Sequence, residues 1–223
     1  PDVQMNLGYA TSPDGFTWTR HPENPIFTES WVEDMIVVNH EGTYHMFAEG
    51  RNDIAHRLTS VDRIQWEDHG SLDIRKVNGE PLEPGPYGTP TVWIEGSTWY
   101  LFYERNDLGI WLATSKDLEV WTNVQDEPVL EMGPEEYDQY GVALNQIVQH
   151  EGLYYAYYHG TPFEDWSLWS TNLATSEDLI HWKKYEENPI MEDNKSSGLL
   201  VHDGAQYRLY TMHPEVCVHF PSK

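Results

Sequence analysis

Hydrophobic positions along the chain fall into short runs that alternate or cluster, and none repeats with a helical period. Apolar runs span Met35 to Val38, Thr91 to Ile94, Ile147 to Val148 and Leu199 to Val201. A polar turn follows each one: His40-Glu-Gly42, Glu95-Gly-Ser97, His150-Glu-Gly152 and His202-Asp-Gly204. Beyond each turn lies a strongly aromatic or alternating run, Tyr44 to Ala48, Trp99 to Tyr103, Tyr154 to Tyr158 and Tyr207 to Thr211. Short β-rich runs split by Gly, Asp and Asn predict strands joined as hairpins. No convincing amphipathic helix is present.

A gapless repeat overlies this pattern. Thr-Ser-x-Asp-x-x-x-Trp occurs at Thr11–Trp18, Thr59–Trp66, Thr114–Trp121 and Thr175–Trp182, and its serines are 48, 55 and 61 residues apart. Three copies are followed by Glu23-Asn-Pro-Ile-Phe27, Glu127-Pro-Val-Leu130 and Glu187-Asn-Pro-Ile-Met191. Periods of this size mark blades or solenoid units. Each unit reads as an inner apolar strand, an aromatic strand, a strand ending in Ser-x-Asp, and an outer strand. Four-stranded antiparallel units of this length predict an all-β chain, a single β-propeller domain over residues 1–223. Complete blades are expected at about 29–78, 86–134 and 138–192, with partial ones at 1–28 and 197–220. The two ends either share one composite blade, giving four, or belong to a five-bladed fold in which the first half of the N-terminal blade is absent from this chain. Ser and Asp side chains in the repeat bond nearby amides and close a tight turn, so they are structural, and the Trp is expected to fill the gap between sheets.

Composition narrows the partners. The 223 residues carry 13 Lys and Arg against 37 Asp and Glu, a formal charge of −24. That balance argues against nucleic acid and anionic membrane. Ten Trp and 14 Tyr argue against disorder. No apolar run approaches the roughly 18 residues of a membrane span. Cys217 stands alone, which excludes an intrachain disulfide and a cysteine-cluster zinc site. Both a secreted or periplasmic mature form and a cytoplasmic one fit, as do a monomer and a homodimer paired through an open sheet edge.

Topology points to one face. In an up-and-down meander, residues just before the inner strand and just after the aromatic strand meet at the mouth of the central funnel, and the Ser-x-Asp turns lie opposite. The mouth then collects Trp31, Glu33, Asp34, Glu49, Arg51, His56, Tyr87, Glu104, Arg105, Asn145, His159, Lys195, His213 and Glu215, with Arg-Asn-Asp twice, at Arg51–Asp53 and Arg105–Asp107. Carboxylates, Arg and His beside aromatic faces suit sugar recognition. Hydrolysis of a glycosidic bond needs two carboxyl groups, one kept protonated. Asp34 is assigned as base or nucleophile and Glu104 as acid, with Glu49 the further candidate. No P-loop, dinucleotide fingerprint, Gly-x-Ser-x-Gly elbow or HExxH pair is present. No cofactor is required; acidic groups near the axis leave room for a structural Ca²⁺, without an EF-type loop.

Ser115-Lys-Asp-Leu-Glu-Val-Trp121 and Ser176-Glu-Asp-Leu-Ile-His-Trp182, each followed by an outer strand with Pro and an aliphatic residue, and Asn-Pro-Ile at Asn24 and Asn188, give the chain a resemblance. It resembles the five-bladed propeller glycosidases, the group that contains glycoside hydrolase families 43, 32, 117 and 130. The resemblance covers essentially the whole chain and implies a glycosidase acting on an oligosaccharide or polysaccharide, with acids at the starts of inner strands of different blades. Glu33-Asp34-Met35 matches that placement. Tyr87-Gly-Thr-Pro90 supplies no acid, and Ala143-Leu-Asn145 supplies Asn. The acids then come from second-strand ends (Glu49, Glu104, Glu215), or the mechanism differs, or the chain is incomplete or catalytically silent and binds sugar without cleaving it. Ser12-Pro-Asp-Gly-Phe-Thr-Trp18 is one residue shorter than the sialidase Asp-box, which rejects that relation.

Overall fold

Each Ser-x-Asp segment closes on itself. Ser60 Oγ donates to Asp62 Oδ1 and accepts from the amides of Asp62 and Arg63, while Asp62 Oδ1 accepts from Ile64 and Gln65. The same set recurs at Ser12/Asp14, Ser115/Asp117 and Ser176/Asp178. Those amides hold all four Asp carboxyls below their ordinary value. The computed structural model describes residues 4–83 and 85–221; residues 1–3, 84, 222 and 223 of the expected domain lie outside them.

The repeats build a β-propeller. A two-stranded hairpin comes first, β1 (Ala10–Thr11) and β2 (Thr19–Arg20). The first sheet runs in chain order, β3 (Glu33–His40), β4 (Thr43–Glu49), β5 (Ala55–Ser60) and β6 (Glu67–Ser71). Next along the chain is β7 (Asp73–Arg75). The second sheet holds β8 (Gly88–Glu95), β9 (Thr98–Glu104), β10 (Gly109–Ser115) and β11 (Val120–Asn123), and β12 (Leu130–Glu131) also pairs with β10. The third holds β13 (Gly141–His150), β14 (Leu153–Thr161), β15 (Ser170–Ser176) and β16 (Lys183–Lys184). The fourth holds β17 (Ser196–His202), β18 (Tyr207–Met212) and β19 (Cys217–His219). A single 3₁₀ turn at Glu136–Asp138 is the helical content among the described residues, and no helix is long and apolar enough to cross a membrane.

Two expected boundaries shift. β7 falls inside the expected 29–78 blade, yet it pairs in parallel with β11 and extends the second sheet. The chain thus straps one blade to the next before its inner strand begins. The terminal strands also do not merge into one composite sheet. The hairpin is not in the β17–β19 ladder; Arg208 and Tyr210 of β18 donate to the carbonyls of Asp14 and Gly15, and Phe16 stacks on Phe220. Among the described residues, four multi-stranded sheets and one separate hairpin are the observed units.

Apolar packing lies between sheets, where the pattern of alternating positions puts it. Phe47, Leu101, Tyr103 and Trp121 fill the interface of the first and second sheets. Phe102, Ile110, Leu144 and Tyr158 fill that of the second and third. Leu7, Phe27, Met46 and Leu58 seal the N-terminal segment to the first sheet. The repeated Trp follows expectation unevenly: Trp121 is fully buried, Trp66 and Trp182 partly so, and Trp18 is exposed. Asn24 and Asn188 act as backbone mimics. Each side-chain amide both accepts from and donates to one residue, Tyr9 just before β1 and Leu173 in β15.

Candidate functional site

Inner strands start with a kink. β3, β8, β13 and β17 each carry a register irregularity at the mouth end, between Glu33 and Ile36, Gly88 and Thr91, Leu144 and Gln146, and Ser196 and Leu199. Bulges re-aim side chains and cluster beside functional sites. Asp34, Thr89 and Ser197 sit in these bulges with φ of 36°, 39° and 54°. Of these bulge residues, and of Asn145 in the bulge of β13, Asp34 alone is an acid.

Second-strand ends supply the other acids. Glu49 ends β4 and Glu104 ends β9, and they are 9% and 4% exposed. Glu49 Oε2 accepts from the Thr89 amide at 2.9 Å. Glu104 Oε1 accepts from the Gly88 amide at 3.0 Å, and its Oε2 from the Asp107 amide at 2.6 Å. A Cβ on Gly88 would collide with Glu49 Oε2 and lie 2.6 Å from Glu104 Oε1. Both oxygens therefore flank one point at the start of β8, no more than about 5 Å apart. Only glycine leaves room there.

The Arg-Asn-Asp repeats are turns that deliver further carboxyls. Asn52 and Asp53, and Asn106 and Asp107, are consecutive residues with φ between 53° and 62°. Asn and Asp tolerate this left-handed region, and two such residues in succession make the tight turns favoured between antiparallel strands. Leu108 N closes the second turn on Arg105 O at 3.1 Å. Asp107 thereby joins Glu104 at the mouth.

Crowding sets the electrostatics. Burial is the main cause of raised pKa values at Glu49, to about 8, and at Asp107, to about 7. Negative charge from Asp34, Asp53 and Glu104 adds to the effect on Glu49, and Thr89 N opposes it. Glu104 is raised by burial against two opposing amide bonds. Asp34 keeps open solvent access along β3, yet the protein crowding its carboxyl raises it; Glu33 adds to that and His213 opposes it. Among the described residues, no three His, Cys, Asp or Glu are arranged to hold a metal ion.

The remaining expected residues divide into groups. His159 is buried, its Nδ1 lies 3.1 Å from Asn145 Oδ1, and burial lowers it to about 4, so it is neutral. His213 pairs with Ser196 Oγ at 2.7 Å, and Lys195 Nζ donates to His213 O and Cys217 Sγ, both at 3.3 Å. Trp31 donates to Glu33 at 2.9 Å, and Arg51 lies over its ring at 5.4 Å. Arg105 donates to the carbonyls of Pro86 and Glu83. Tyr87 packs edge-on against Tyr103, and its backbone bonds Asp53 and Ala55. His56 is buried beside Asp68 with Nε2 unpartnered, in a side pocket of about 370 Å³ that it shares with Trp31, Arg51 and Asp68. Glu215 lies exposed in the β18–β19 loop. Sequence reasoning passed over the β14–β15 loop, where Trp166 and Trp169 stand at the same face; a Trp-Ser-Leu-Trp run directly after an aromatic strand was the signal available.

No family model matches the sequence, and no curated protein matches it. Solved structures do resemble the fold. A proposed glycoside hydrolase from Parabacteroides distasonis is 16% identical, with a TM-score of 0.76 over 97% of this chain and 79% of that one. A glycosyl hydrolase from Bacteroides ovatus is 16% identical, with a TM-score of 0.73 over 98% and 76%. A structure described with the GH130 family of mannoside phosphorylases, which contains glycoside hydrolases targeting β-1,2 mannosidic linkages in Candida mannan, is 16% identical, with a TM-score of 0.70 over 98% and 76%. At this identity the likeness establishes the β-propeller fold that this chain shares with them.

Proposed function

We infer that the chain is a glycoside-hydrolase-like enzyme that cleaves glycosidic bonds of an oligosaccharide. The observation that carries this reading is the buried pair Glu49 and Glu104 flanking Gly88, with the charge of Asp34 near enough to bear on Glu49. The folds it resembles belong to proteins described as glycoside hydrolases. A general acid must hold its proton near neutral pH. Glu49, raised to about 8, suits that role better than Glu104, the first choice from sequence. Glu104 spends both oxygens on backbone amides, bracing the start of β8 and the turn at Asp107. Its charge beside Glu49 also favours the protonated form of Glu49. Asp34, in an open bulge, serves as base or nucleophile.

In the proposed reaction Glu49 gives its proton to the leaving sugar oxygen as the bond breaks, while Asp34 meets the anomeric carbon directly or through water. Neutral His159 and Asn145 hydrogen-bond sugar hydroxyls on the far wall. The test is turnover of a broad panel of aryl glycosides and oligosaccharides by the wild type, Glu49→Gln and Asp34→Asn. Both substitutions are expected to cut kcat by about 10²–10⁴. Full activity in either variant would remove that residue from the chemistry.

A second reading has its own support. Thr89, Asn145 and Ser197 occupy the bulge positions at which Asp34 is the single acid. Sugar binding without turnover, detected by calorimetry with the same panel, would favour a lectin-like propeller.

A further inference from the structure

We propose that Trp166 and Trp169 form a second sugar subsite, which takes a neutral ring adjoining the one held over the carboxylates. The inference rests on the glycosidase reading and adds a binding wall that none of the acids provides.

Position comes first. Trp169 is half-buried, its ring edge-on to His159 with centroids 4.9 Å apart at 87°. A Cβ on Gly141 would lie 3.4 Å from Trp169 Cη2 and 3.3 Å from Asp107 Cβ. The indole and Asp107 thus meet across one glycine, which places Trp169 on the wall of the acid cluster. Trp166 stands one ring further out, 6.2 Å from Trp169 between centroids.

Presentation comes second. Trp166 is 47% exposed with φ of 53°, a backbone region costly for a bulky residue. It is held there: its Nε1 donates to Tyr140 O at 3.2 Å and its amide to Phe163 O at 3.0 Å. Asp165 Oδ1 accepts from Ser167 N, and Asn194 Oδ1 accepts from Trp169 N at 3.0 Å. A large apolar ring fixed in solvent by polar bonds is preorganised for a flat partner. Trp31, the platform expected from sequence, is different, because Arg51 covers its ring.

Charge selects the ligand. Glu164 and Asp165 directly precede Trp166, and Glu136, Glu192 and Asp193 line the adjoining pocket of about 370 Å³ beside Trp169. An anionic sugar would be repelled. The apolar face of a neutral hexose or pentose ring would stack, with its hydroxyls directed at these carboxylates.

The test uses the whole chain as wild type, Trp166→Ala and Trp166→Phe. Substrates are glucosyl, mannosyl, galactosyl and xylosyl fluorides, whose leaving group is a single atom, and neutral oligosaccharides of the same sugars. The ratio of kcat/KM on the oligosaccharide to that on the matching fluoride is expected to fall about tenfold or more in Trp166→Ala, and by less in Trp166→Phe. An unchanged ratio overturns the subsite, even where overall turnover drops. Absence of turnover by the wild type on every substrate overturns the hydrolase reading separately. Calorimetric binding of the same oligosaccharides then decides the subsite. Binding weakened tenfold by Trp166→Ala sustains it; no binding, or binding indifferent to the substitution, ends it.

Discussion

Replacing Glu49 by Gln separates stability from activity. The carboxyl is raised from 4.5 to about 8 in the folded chain. Between those values the folded state holds a proton that the unfolded state has released, so stability falls as pH rises. Each unit is worth about 1.36 kcal/mol, which makes the full span about 4–5 kcal/mol above pH 8 and almost nothing below pH 4.5. Glutamine keeps an oxygen for the Thr89 amide but cannot ionise. The Gln variant is therefore expected to be near wild-type stability at pH 4.5 and more stable by several kcal/mol at pH 9. Urea unfolding at both pH values reads the difference. A stability difference that does not change with pH would refute the burial argument, and with it the assignment of Glu49 as the proton holder.

Other substitutions probe different parts of the fold. Gly88→Ala forces Glu49 and Glu104 apart, and activity is expected to fall about 10²-fold while the circular dichroism spectrum is retained. Ser115→Ala removes a buried hydroxyl that bonds Asp117 and the Leu118 amide on the face opposite the mouth. It should cost about 1–3 kcal/mol in urea unfolding and leave kcat/KM within twofold of wild type. Lys184→Met strands Asp138, which is fully buried and bonded to Lys184 and Tyr158, so a loss of about 3–5 kcal/mol is expected at neutral pH.

The parts legible in sequence are those built from local interactions. Ser60 and Asp62 write their turn within six residues, and Asn188 reports its strand partner through the same repeat, so blade units could be aligned by eye. The meander order of the strands led to the same strand ends that the fold shows, with Asp34 at the start of β3 and Glu49 and Glu104 closing β4 and β9. Roles depend on long-range geometry and were less legible. Arg105 was expected at the mouth as a ligand contact, and sequence held no sign of the hydrogen bonds that it makes to the carbonyls of Pro86 and Glu83. The preference for Glu49 over Glu104 arises from which amides of β8 and the Asp107 turn reach each carboxylate. β7 was read with the first sheet because it follows it in sequence, and only the fold shows it pairing with β11. Trp166 and Trp169 sit in a loop without period, where no alternation marks which way a side chain faces.

Leaving-group dependence tests the central claim most directly. Rates for wild type and Glu49→Gln would be compared on an oligosaccharide and on a dinitrophenyl glycoside of the same sugar, whose leaving group departs without a proton. If Glu49 is the acid, the Gln variant loses about 10²-fold or more on the oligosaccharide and far less on the dinitrophenyl substrate. Equal losses on both substrates would contradict the assignment, and absence of wild-type turnover on both would contradict the hydrolase reading itself.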